Sequence, residues 1–90
     1  MFRVTEEAAA LAADKLSDSG APTDAVMRLL AREGGLVFEP GRLDPDDVSF
    51  EHEGRPVIAL SGALADELSG VALQVERTDH GGRLQLRECG

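Results

Sequence analysis

The sequence predicts a strand-rich α+β fold: a compact β-sandwich with one N-terminal helix and one short helix. Three observations carry this. Short stretches of alternating apolar and polar residues recur along the chain, separated by Gly, Pro and Asp. The stretch Glu6–Leu16 has helical spacing instead. Residues Val48 to Leu60 read as a β-hairpin that the rest of the chain can be built around. A chain of 90 residues is one domain, residues 1–90.

In order, Phe2-Arg3-Val4 alternates and is expected as a short edge strand. Thr5 is placed to cap a helix, with Glu6 and Glu7 favourable to its dipole. In that helix Ala8, Leu11, Ala12 and Leu16 share one face, while Glu7, Asp14 and Asp18 face water. Gly20 and Pro22 end it. Asp24–Arg32 fits two readings. Thr23 is placed to cap a helix with Val26, Leu29 and Leu30 on one side. Met27, Leu29 and Ala31 also alternate with Arg28 and Arg32, as in a strand. Gly34-Gly35 breaks the pattern, Leu36–Glu39 is a short strand, and Pro40 to Asp47 is a loop.

The hairpin comes next. Val48 and Phe50 alternate with Ser49 and Glu51, and Glu53-Gly54 supplies a two-residue turn. The simplest register pairs His52 with Arg55, Phe50 with Val57 and Val48 with Ala59. It sets those four apolar residues on one face. Val57 to Leu60 is apolar on both faces, as in an inner strand. Phe50 is then a core residue, and Phe50→Ala is expected to cost about 3–5 kcal/mol. Ser61 caps a short helix, Gly62–Leu68, stopped by Ser69-Gly70. Val71, Leu73 and Val75 mark a strand, Thr78 to Gly82 a turn, and Leu84 and Leu86 the last strand.

Composition bounds the function. A chain this size buries roughly 60–65% of its unfolded surface. With three Phe and no Trp or Tyr, Ala, Val and Leu do the packing, and self-association as a homodimer is expected to help stability. The net charge of −8 repels phosphate backbones and anionic lipid, which argues against nucleic acid and membrane surfaces as partners. No apolar run is long enough to span a bilayer and no signal peptide is recognisable. One cysteine, Cys89, makes no internal disulfide, so a reducing, cytoplasmic location is expected.

The order of elements resembles the HesB/IscA-like domain, the family of A-type iron–sulfur carriers. The likeness covers almost the whole chain. Val4-Thr5-Glu6-Glu7-Ala8-Ala9 is similar to the family's opening strand and helix start. Val26 to Leu30 with Gly34-Gly35 is similar to its next strand and glycine loop. Phe38-Glu39-Pro40, the Asp-rich loop and Val48 to Gly54 are similar to its acidic stretch and hairpin. Val57 to Leu60, Ala63-Leu64 and Leu68-Ser69-Gly70-Val71 are similar to the elements after it. The resemblance selects the strand for Ala25–Ala31.

It also implies a cysteine just after the glycine loop and a Cys-Gly-Cys pair near the C-terminus as cluster ligands. Here the loop reads Glu33-Gly34-Gly35-Leu36-Val37, and the chain ends at Cys89-Gly90. The expectation is a degenerate member without its cysteine motif: a non-catalytic accessory or interaction module, with no cofactor, related to iron–sulfur protein maturation. The alternative is a carrier that binds iron or an iron–sulfur cluster through Cys89 at a dimer interface. Clusters usually take four thiolates, so histidine, His52 or His80, or carboxylate would have to complete the set. Cys89 with either histidine is a poor nucleophilic pair, because a chain end lacks preorganised geometry. Asp44, Asp46 and Asp47 lack the calcium-loop pattern, and the paired glycines lack the phosphate-loop lysine. No catalytic residue is assigned.

Overall fold

The structure is a computed structural model that describes residues 2–22 and 24–88. Thr23 and Cys89 lie outside the described residues. The elements run β1 (Arg3–Val4), α1 (Glu6–Asp18), β2 (Val26–Arg32), β3 (Gly35–Gly41), β4 (Asp47–His52), β5 (Arg55–Ser61), α2 (Gly62–Glu67), β6 (Val71–Thr78) and β7 (Gly81–Glu88). Two mixed sheets form, β1-β6-β7 and β3-β2-β5-β4. Parallel pairs β1/β6 and β2/β5 sit among antiparallel hairpins. Among the described residues no helix is long and apolar enough to cross a membrane.

The α1 stripe and the inner faces of both sheets meet in one core. Ala8, Ala9, Ala12 and Leu16 from α1 are buried, and with them Met27, Leu29, Ile58, Leu60 and Leu73. Small alanines let the helix backbone approach the strands. Leu11 stays half-buried, and Ala9 takes its place in the stripe. Thr5 caps α1 as expected, its hydroxyl accepting from the Ala8 N–H at 3.2 Å. The helix runs two residues beyond Leu16, because Ser19 closes it with an N–H to the Lys15 carbonyl and Gly20 follows at φ 71°. Ser61 caps α2 through Leu64 N–H at 3.1 Å. That helix stops at Glu67, one residue early, with Leu68 as its C-cap.

The segment 26–32 is a strand. Met27 and Leu29 point into the core, and Arg28 takes the other face. The strand after the glycine turn is longer than expected, reaching Gly41 through Pro40. Proline is tolerated there because β3 is an edge strand, where a missing N–H disrupts no further ladder. The turn between β6 and β7 is tighter than expected, with only Asp79 and His80 between Thr78 and Gly81.

The β4–β5 register departs from the simplest one. His52 pairs with Arg55 and Glu51 with Pro56, but then Phe50 pairs with Ile58 and Val48 with Leu60. Val57 is the extra residue of a bulge. Pro56 has no N–H to give the ladder, and bulges are where strands accommodate such a residue. The face shared with Val48 and Phe50 is therefore Ile58 and Leu60, not Val57 and Ala59. β5 is an inner strand, with Val57, Ile58, Ala59 and Leu60 all buried. Phe50 lies at the core's margin, half-buried, its ring edge-on to Phe2 at 5.7 Å between centroids.

Candidate functional site

The β2–β3 hairpin turns at Glu33-Gly34, and Arg32 pairs with Gly35. Gly34 and Gly35 have φ of 91° and 142°, a region where an L side chain is strained. Beyond this turn Leu36, Val37 and Phe38 run along β3 beside Leu84 and Leu86 of β7. Between them lies an open groove of about 500 Å³, floored by Leu29 and Leu73 of the two facing sheets. Its other wall residue is Gly35. Val37 is 38% exposed at its mouth. Among the described residues its lining holds no thiol, imidazole or carboxylate. Such a surface packs aliphatic groups and supplies no donor set to iron.

The titratable residues singled out in the sequence do not converge on this groove. His52 is half-buried at the end of the β4–β5 hairpin, with Nε2 3.9 Å from Glu53 Oε1. His80 is exposed in the β6–β7 turn, its N–H donating to Thr78 Oγ1 at 3.3 Å. Among the described residues no group of three or more His, Cys, Asp and Glu is arranged to hold a metal ion.

Of the aspartates, Asp47 has a partner that sequence reasoning missed. Arg28 of β2 reaches across β5 and makes a two-pronged ion pair with it. The same guanidinium donates to the Arg42 carbonyl at 2.8 Å, and Asp47 also accepts from the Asp44 N–H at 2.9 Å. The Asp47 side chain is only 4% exposed. Hydrogen bonding from Arg28 holds its carboxyl below the usual carboxylate range, against the opposing effect of burial. The arginine rises in turn, chiefly through the same bond. The arrangement pins the Asp-rich loop to the sheet, and Gly41 makes room for it: a Cβ there would lie 2.8 Å from Arg28 Cδ. The sequence signal was an arginine, Arg28, flanked by apolar residues inside β2.

Solved structures share this architecture. Escherichia coli SufA, described as involved in biosynthesis of iron–sulfur clusters, aligns over 97% of this chain and 84% of its own, with a TM-score of 0.68 and 18% identity. The fold is the HesB/IscA-like one. IscA with a [2Fe-2S] cluster aligns over 98% of this chain and 85% of its own, with a TM-score of 0.59 and 18% identity. No family profile and no curated protein matches the sequence. Within the HesB/IscA-like fold, the residues following the glycine turn are here Leu36 and Val37, both at the groove.

Proposed function

We propose that this chain is a non-catalytic interaction module of cytoplasmic iron–sulfur protein maturation that holds no cluster of its own. The observation that carries the reading is the groove after the glycine turn. It has the fold of cluster carriers around it and an apolar lining within it. Burying aliphatic side chains there favours protein contact over metal ligation. Pairing with a second copy over the mouth at Val37 fits the same surface, and sedimentation equilibrium at micromolar concentration tests it. A clean monomer there removes the homodimer from the proposal.

A second reading keeps Cys89 as a ligand, because β7 walls the groove with Leu84 and Leu86 and ends at Glu88, one residue before that thiol. Anaerobic purification followed by iron and acid-labile sulfide assay separates the two. The module carries neither. A carrier retains iron in fixed proportion to chain and loses it in Cys89→Ser.

A further inference from the structure

Among the described residues the sandwich has four strand edges, and three of them are guarded. Strand β3 carries Pro40, β1 has two residues, and β7 displays Arg83 and Arg87. Proline, brevity and cationic side chains are the usual ways a sheet discourages a further strand. Strand β4 ends its sheet with none of these. Its acidic residues are Asp47 and Glu51, and Asp47 is engaged by Arg28.

An open groove of about 320 Å³ lies beside this edge, lined by Phe2, Val48, Phe50, Ala65 and Asp66 together with Ser69. Val48 is 38% exposed, so part of β4's apolar face lacks cover. Among the described residues no cationic side chain lies within ion-pair distance of Asp66 or Glu51. Val48 and Phe50 lie on the groove side, and Ser49 and Glu51 on the other, by strand alternation.

We propose that β4 receives an added strand from a partner protein, an extended segment in which aliphatic side chains alternate with Lys or Arg. Main-chain hydrogen bonds to the open edge supply affinity, and alternate side chains supply specificity. Aliphatic residues opposite Val48 and Phe50 fill the groove. A cation opposite Glu51, on the face away from the groove, meets a carboxylate that has no cation of its own in the described structure. The net charge of −8 steers a basic segment toward the molecule. A second copy's β4 supplies no cation for Glu51, because antiparallel pairing centred on Ser49 sets there Asp47, already paired with Arg28. The inference rests on the interaction-module reading and names the class of partner.

The test is an NMR titration of the isotope-labelled full chain with the peptide acetyl-Lys-Val-Lys-Leu-Lys-Val-Lys-amide. A peptide of the same composition with all lysines first and all aliphatics last is the control. Expected are amide shifts confined to β4 and α2, and affinity at least about tenfold above that of the block-ordered control. Glu51→Lys weakens binding about tenfold, whereas Glu33→Lys, the same substitution at the β2–β3 turn, alters it less than about twofold. Val48→Lys, which fills the groove with a charge, is the second variant should Glu51→Lys not fold.

Equal binding of the two peptides, equal losses in the two charge variants, or no shifts at about 1 mM peptide overturns the proposal. So do β4 shifts that follow protein concentration alone, which would mark a second copy. Iron retained through Cys89 would overturn the proposed function and leave the peptide result standing.

Discussion

Asp47 shows how a single residue organises a loop. Its carboxylate satisfies Arg28 and the Asp44 N–H at once. Removing one partner of such a pair leaves the other desolvated without compensation. Asp47→Asn is expected to cost about 1–3 kcal/mol near neutral pH, read from urea denaturation. The sign with pH follows from the lowered carboxyl. The contribution is fully present above the ordinary carboxylate range, near pH 4, and is lost as pH falls through the depressed value. The difference between wild type and Asp47→Asn should therefore shrink toward acid. A gap that stays constant to pH 2 would show that the ion pair contributes nothing to it. Phe50 carries a smaller load than its place in the hairpin suggested. It is half-buried against Phe2, so Phe50→Ala is expected to cost about 2 kcal/mol, short of the full-burial range. A loss above about 4 kcal/mol would place the ring inside the core after all.

At the scale of elements, turns and caps were legible because each rests on local chemistry. Thr5, Ser61, Gly20 and Glu53-Gly54 all do what their residue types do anywhere. What escaped the sequence was set by neighbours distant along the chain. The bulge at Val57 depends on Pro56 meeting Glu51 across the hairpin. The length of β3 depends on its lying at a sheet edge, where Pro40 is harmless. The pairing of Arg28 with Asp47 bridges 19 positions and an intervening strand. The β4–β5 turn also contains a correctable strain: Glu53 has φ of 54° and Gly54 of 78°, the pair of positive values that favours Asn-Gly. Glu53→Asn is expected to raise stability by about 0.5–1 kcal/mol in thermal unfolding, with the register unchanged. A destabilised variant would mean that the Glu53 side chain contributes more than its backbone costs.

For the whole molecule, the order of short strands and the single long helix was enough to point to the HesB/IscA-like fold, and solved structures at 18% identity share it. The groove was only half legible. The sequence showed that Gly34, Gly35 and Leu36 bring no metal-ligating side chain. It did not show that Leu36, Val37 and Phe38 of one sheet meet Leu84 and Leu86 of the other, since that contact forms only when the sheets face each other. The proposed interaction role rests on this meeting of surfaces, an apolar groove between the two sheets.

Anaerobic reconstitution with iron and sulfide, followed by the visible absorption spectrum, tests this most directly, on the wild type and on Cys89→Ser. With one cysteine per chain, even a pair of chains falls short of the usual thiolate set. The spectrum should be the same for both proteins and show no stoichiometric charge-transfer band. A stoichiometric cluster band in the wild type that vanishes in Cys89→Ser would contradict the account and make this chain a carrier.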